Sequence, residues 1–260
     1  MSIRLYVGTV LVDGARLELP PEAARHAQVR RVQPGDLLRL FDGQGHEHAA
    51  QVLAMGRREV VVHVGVPQPA LPELAARVTL AVGMPANERM DFLVEKATEL
   101  GVAAIQPLQC ARSVLRLEGE RALRRREHWH AVAVAAAEQC GRAVVPTVHP
   151  VRELPAWCQA LAPPALSGSP AAGPRLLLSL GQPAQPAAGA LGPGRVDAPV
   201  LTLSGPEGGL TPHEEAAARA AGFVPVSLGP RVLRADTAPL ALLAWLALSD
   251  APSPPPARNA

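Results

Sequence analysis

Between residues 200 and 222 the chain carries a strand, a turn and a helix in a form that leaves few folds open. Val200-Leu201-Thr202-Leu203-Ser204 is an almost unbroken apolar run, the pattern of a strand covered on both faces. Gly205-Pro206-Glu207-Gly208-Gly209 turns it. Thr211-Pro212-His213-Glu214 then forms a capping box with proline at the first helical position, and Gly222 supplies the stop. The alternation recurs upstream. Val78–Val82 reads as a buried strand and Asn87 as the N-cap of a helix. Met90, Leu93, Val94, Ala97 and Leu100 follow at helical spacing, and Gly101 ends the helix. Ala103–Ile105 with Pro107 and Leu108, Arg175–Leu180 and Val224–Leu228 are further strands. His128–Cys140 and Asp236–Leu248 are further helices. Strands alternating with helices predict an α/β domain around a mostly parallel sheet.

Residues 1–70 have a different rhythm. Gly-containing turns at 12–14, 34–36 and 41–45 punctuate short apolar runs at 37–41, 49–53 and 60–64, with one short helix over 21–29. Short strands closed on themselves predict a small β-barrel. The stiff segment Pro67–Pro72 marks the boundary, so the expected domains are 1–70 and 73–250, followed by a Pro-rich disordered tail over 251–260. The stretches 162–174 and 182–199 are expected to be loops.

Composition narrows the function. A formal net charge of +2 over 260 residues excludes a polybasic protein held to nucleic acid by bulk charge, although local basic patches remain open. Of 25 Lys+Arg only Lys96 is lysine. Three cysteines without a CxxC indicate neither a disulfide framework nor a zinc site. The N-terminus has no apolar run of signal length, and the richest apolar stretch, Ala238–Leu248, is too short to span a bilayer. The expectation is a cytoplasmic protein without metal or membrane.

Two loops carry the chemistry. The 204–211 turn lacks both the Walker lysine and the dinucleotide fingerprint, yet its glycines would let backbone approach a ligand beyond the carboxyl end of a strand. The second, Leu228-Gly229-Pro230-Arg231-Val232-Leu233-Arg234-Ala235-Asp236, also joins a strand to a helix and adds two arginines and a carboxylate. Two such loops at one sheet edge suit one ligand, with arginine left for an anion. Asp236 also fits an N-cap. Asp91, Glu95 and Glu99 stand four apart on one helix and call for partners. Six arginines between 112 and 126, and Arg25, Arg30 and Arg31 beside His26, are patches able to grip phosphates. Cys140 reads as a packed residue rather than a nucleophile.

Taken in order, these motifs resemble the RsmE-type 16S rRNA methyltransferases. Leu203–Gly209 followed by Ser227–Arg234 matches that family's signature. Lys96-Ala97-Thr98-Glu99-Leu100-Gly101-Val102 with Pro107, Arg112 and Ser113 is similar to a second block, and Glu138, Gln139, Arg142 and Pro146 to a third. Arg4, His26, Val29–Arg31 and Gly35-Asp36 resemble its RNA-binding barrel. The resemblance runs through about residues 1–248. It implies a SPOUT domain with a deep trefoil knot, a PUA-like β-barrel, a homodimer, and S-adenosyl-L-methionine as methyl donor. It also implies N3-methyluridine at position 1498 of 16S rRNA in the small ribosomal subunit as product. Carried over residue by residue, it gives Arg234, Asp236 and Glu207 as catalytic candidates. Cofactor contacts fall on Leu180, Leu203, Ser204, Gly205, Gly208, Gly209, Leu228, Gly229, Arg231 and Leu233. RNA contacts fall on Arg4, His26, Arg30 and Arg31. The chain departs from the pattern at Asp236, where the family has Glu, at Ala135, and at Gly181-Gln182-Pro183. The alternatives are a knotted methyltransferase acting on ribose 2′-O or tRNA, and a non-catalytic RNA-binding assembly factor.

Overall fold

The computed structural model describes residues 3–57, 59–86, 88–161, 173–179, 181, 183–192 and 196–250. They form two compact units. The first combines the chain up to Glu73 with Ala133–Val145, and the second combines Leu74–Val132 with the residues from Pro146 onward. Residues 133–145, expected in the C-terminal domain, thus belong with the N-terminal one. The expected tail lies outside the described residues.

In the first unit, β1 (Ile3–Tyr6), β2 (Arg16–Glu18), α1 (Pro21–Val29), β3 (Leu37–Phe41), β4 (Glu47–Met55) and β5 (Val60–Gln68) follow in order. The sheet runs β1-β3-β4-β5-β2, with β1 parallel to β3 and the other pairs antiparallel. Val60, Val62 and Val64 are buried while Val61 and His63 between them are not, the two-residue period of a half-buried strand. Ala23, Ala24 and Ala27 lay α1 on the core beside Leu5, Leu19, Leu38 and Leu40.

The second unit holds β6 (Val78–Gly83), α2 (Glu88–Glu99), β7 (Ala104–Gln109) and the first half of α3 (Gly119–Cys140). It continues with β8 (Thr147–Val148), β9 (Arg152–Glu153), α4 (Leu154–Ala160), β10 (Arg175–Leu178), β11 (Gln185–Pro186), α5 (Ala187–Leu191), β12 (Val200–Ser204), α6 (Pro212–Ala220), β13 (Val224–Ser227) and α7 (Thr237–Asp250). Helix α3 begins nine residues before the predicted His128, because Gly119–Glu127 has helix-forming residues but no apolar stripe for periodicity to detect. Similarly, β11 and α5 occupy part of a stretch expected to be loop. The sheet runs β11-β13-β10-β12-β6-β7-β8, every pair parallel, with β9 also pairing β7.

Register aligns the carboxyl ends. Ser204 pairs with both Val82 and Leu178, and Leu178 with Val226, so four strands deliver their following loops to one edge. The capping box forms as expected: Thr211 Oγ1 accepts from the Glu214 amide, and Glu214 Oε2 accepts from the Thr211 amide at 2.8 Å.

Candidate cofactor and active site

At that edge, the loops after β10, β12 and β13 enclose a cavity of about 540 Å³, within the usual span for small-molecule sites. Gly205, Gly208 and Gly209 line it from the β12 loop. Leu228, Gly229, Arg231, Leu233 and Arg234 line it from the β13 loop. Gly209 stands at φ +68° and Gly229 at φ +113°, in the left-handed region that glycine enters without penalty. The lining charges are Arg89, Arg231 and Arg234 against Glu207 and Glu215.

Among the described residues, two polar atoms at or beside the cavity lack partners. Ser204 Oγ, on the cavity wall, and Asp236 Oδ1, two residues past Arg234, are both buried with no hydrogen bond. Burying such atoms unpaired costs on the order of 1–3 kcal/mol each, a cost a ligand donor or acceptor removes. Asp236 Oδ1 thus caps no backbone amide of α7 among the described residues. Glu207 is occupied: its Oε1 accepts from the Ala86 amide at 3.1 Å and from Arg89 Nη1 at 3.4 Å.

The β12 loop is held from three sides. A Cβ on Gly83, the last residue of β6, would lie 2.6 Å from Pro206 Cδ and 2.7 Å from Pro206 N, so only glycine lets the loop cross the strand end. Arg112 Nη1 donates to the carbonyls of Gly208 at 3.0 Å and Leu210 at 3.3 Å. Buried Glu214 closes the α6 cap and also accepts from the Ala111 amide at 2.7 Å. Gly83 and Arg89 escaped the sequence reading as site residues, and Glu214 was read only as half of a capping box. The strand-final glycine before Met84-Pro85 was the available signal for the first; nothing local marks Arg89.

Sequence comparisons agree with this architecture. A family model described as an RNA methyltransferase domain matches residues 72–247, and one described as an RNA methyltransferase PUA domain matches residues 19–65. Ribosomal RNA small subunit methyltransferase E of Mycobacterium bovis is 33% identical over 239 residues, covering 92% of this chain and 88% of that protein. The chain belongs to the ribosomal RNA small subunit methyltransferase E family. The Bacillus subtilis member is 31% identical over 222 residues, covering 82% of this chain and 81% of its own. The crystal structure of the Neisseria gonorrhoeae member, bound to S-adenosyl methionine, superposes with a TM-score of 0.84 at 34% identity. It covers 95% of this chain and 97% of that one. The mostly parallel α/β domain and the separate N-terminal β domain are the architecture expected of the family.

Against this frame the expected site residues divide. Ser204, Gly205, Glu207, Gly208, Gly209, Leu228, Gly229, Arg231, Leu233 and Arg234 all line the cavity. Leu203 does not: it is fully buried among Ala81, Leu108 and Leu177, since alternate strand positions face opposite sides. Leu180 lies outside the described residues, as does Asn87. Arg4 is a second correction. Its guanidinium is spent inside the first unit, on Glu47 Oε2 at 2.7 Å and on the carbonyls of Ala137, Glu138 and Arg142, and it stacks 4.7 Å from the Phe41 ring. It is a structural cation rather than a free RNA contact. Arg30 and Arg31 are exposed at the end of α1, with Arg31 at φ 56°. His26 Nδ1 sits 3.0 Å from Glu138 Oε2. The acidic row on α2 finds its partners: Asp91 meets His128 Nε2 at 2.7 Å and Trp129 Nε1 at 3.1 Å, and Lys96 bridges Glu95 and Glu99.

Proposed function

We propose that this chain methylates N3 of uridine 1498 in the 16S rRNA of the small ribosomal subunit, with S-adenosyl-L-methionine as donor, in the cytoplasm. One observation carries the reading. Two glycine-bearing loops at the carboxyl edge of a parallel sheet enclose a cavity whose wall holds the partnerless Ser204 Oγ, with Asp236 Oδ1 buried unpaired in the segment that closes it. The fit to the donor rests on that pair, on bare backbone at Gly205, Gly208, Gly209 and Gly229, and on the mixed charge of the lining, suited to a ligand carrying both signs. When bound, S-adenosylmethionine supplies a methyl group on a sulfonium, open to in-line attack.

The remaining work falls to the chain. Uridine N3 carries a weakly acidic proton, and paired bases hide it, so the base must be unpaired or flipped out to enter the cavity. Asp236 is assigned as proton acceptor, because its Oδ1 is buried and uncommitted while Glu207 is held by Arg89 and Ala86. Arg234 is assigned to the uracil oxygens, where negative charge gathers as N3 loses its proton, and Arg231 to the flanking phosphate. Backbone groups of residues 205–209 and 228–233 orient the donor. Arg30, Arg31 and His26 position RNA on the first unit. Helix α7 supports a homodimer: it is apolar around its circumference, yet Trp245 and Leu248 remain 39% and 78% exposed. The deep trefoil knot of the family is assigned to the segment carrying these loops.

The test is methyl transfer from labelled S-adenosylmethionine to unmodified small subunits, with the product nucleoside identified by mass spectrometry. N3-methyluridine at a single site is the expected result. A 2′-O-methyl product would move the assignment to ribose, and donor binding without transfer would remove the catalytic one.

A further inference from the structure

The arginine-rich run at 112–126 is not used by the cavity chemistry, and the fold gives it a definite form. Six arginines stand against Glu118, Glu120 and Glu127, leaving three positive charges in excess over residues 112–127. Arg112, Arg116, Arg121 and Arg124 are exposed, and Arg125 and Arg126 are half-buried. The run is a connecting segment followed by the first turns of α3, so Arg121, Arg124 and Arg125 fall at positions i, i+3 and i+4 of one helix face. Only one of these three is neutralised locally, Arg124 by Glu120. Among the described residues, neither Arg121 nor Arg125 has an ion-pair partner, and like charges four residues apart on a helix repel.

The surroundings do not supply the missing anion. Asp91, the carboxylate that α2 brings to α3, is taken by His128 and Trp129. Burial, and then the charge of Arg126, hold His130 and His149 below their ordinary value. The strip also has a fixed starting point. Arg112 bonds the carbonyls of Gly208 and Leu210, which are wall residues of the cavity. Along the chain, the basic run therefore begins at a residue bonded to the cavity wall and continues into the first turns of α3.

We infer that residues 112–126 form a second RNA-binding surface, on the methyltransferase unit itself, which takes the phosphodiester backbone leading to the nucleotide in the cavity. The inference rests on the proposed function for the link between strip and target base, but the charge argument stands without it. The exposed side chains are arginines, suited to phosphate oxygens. The partner chemistry is thus a polyanion gripped without regard to sequence. Arg121 and Arg125 are positioning residues, since they touch neither the reacting atoms nor the cavity wall.

The test uses the full chain and a fluorescein-labelled RNA hairpin of arbitrary sequence, titrated over a range of salt. Arg121→Gln with Arg125→Gln is expected to weaken binding several-fold at low salt and to lessen the slope of log K against log salt by about 1–2, the loss of two phosphate contacts. Donor affinity by calorimetry is expected to stay at the parental value and the melting temperature close to it, because Arg121 is exposed, Arg125 is half-buried and neither lines the cavity. Arg121→Lys with Arg125→Lys should restore most of the salt slope. An unchanged RNA affinity and slope in the Gln variant, with Arg30→Gln and Arg31→Gln lowering both, would overturn the inference and leave the strip to a protein partner. The two readings fail separately. Parental protein that binds the hairpin through the strip yet methylates no small-subunit RNA would sink the proposed function alone. Normal methylation with unchanged kcat, KM and salt slope in the Gln variant would sink the strip alone.

Discussion

Gly83 sits where the parallel sheet and the loop after β12 meet, and replacing it with alanine tests that geometry directly. An added Cβ would lie 2.6 Å from Pro206 Cδ, 2.7 Å from Pro206 N and 2.9 Å from Cys110 Sγ. None of these neighbours is the free end of a flexible side chain, so strand, loop or thiol must move. Overpacking of this kind costs about 1–3 kcal/mol, which for a chain of this size lowers Tm by roughly 2–12 °C. If the 205–210 loop yields instead of the sheet, the strain reappears as lost donor affinity, with each 1.4 kcal/mol a factor of about ten in Kd. Thermal unfolding and calorimetric titration with S-adenosylmethionine, on the same preparations, read both quantities. Two companions sharpen the result. Gly209→Ala meets nothing within 4 Å and carries only the strain of φ +68°, about 1–2 kcal/mol. Adding Pro206→Ala to Gly83→Ala removes the Cδ contact but leaves the backbone nitrogen at 2.7 Å, so recovery should be partial. A Gly83→Ala protein with parental Tm and parental donor affinity would refute the close crossing of loop and strand.

Other outcomes follow from the same structure. Asp236→Asn should lower kcat by about 10²–10⁴ with donor affinity within a few-fold, measured by single-turnover methyl transfer; loss of affinity with kcat kept would reassign Asp236 to the cofactor. Arg4→Met should cost on the order of 3 kcal/mol in urea unfolding, because buried Glu47 keeps only Arg39. Burial, aided by Glu214, pushes the Cys110 thiol up to about 12, and burial pushes Cys158 up to about 11. Their folded values lie above the ordinary 9.0, so the stability they contribute is intact below that pH and lost as pH rises through the folded values. Alkylation of both thiols should accordingly be slow until the protein unfolds. His130 and His149 act at the other end: burial and Arg126 lower them from 6.5. The unfolded chain then binds more protons, and stability falls as pH drops below that value. Unfolding midpoints that stay flat on the acid side would contradict the lowered titration of the two imidazoles.

Much of the second unit was legible because several of its elements announce themselves locally. The run at 200–204, the box at 211–214 and the stop at Gly222 each have a physical meaning within a few residues, and the structure realises all three. The miss at α3 has a physical cause. Helix α3 starts in a stretch with helical propensity but no apolar face, so its first nine residues offered periodicity nothing to count. Its second half then crosses into the first unit, where Ala137 and Ala143 pack against Phe41. That membership is a long-range fact with no local signature. Within the site, the glycine loops were legible as ligand-facing backbone, whereas Glu214 looked like half of a capping box and serves also as the acceptor for Ala111.

Arginine shows why residue type alone could not finish the task. In a chain with a single lysine, almost every positive charge is an arginine, and the sequence ranks them equally. Arg4 lies next to an RNA-binding motif by resemblance but is folded under the chain, four acceptors around its guanidinium. Arg112 reads as one of a patch able to grip phosphates and instead ties down the wall of the cavity. Arg121 and Arg125 read the same way and are left unneutralised by the fold. What separates these fates is the supply of carbonyls and carboxylates brought by segments distant in sequence: 133 residues for Arg4 and 96 for Arg112. An arginine given internal acceptors becomes a strut. One denied them stays a charge seeking an anion, and it is on such charges that the proposed RNA-binding strip rests.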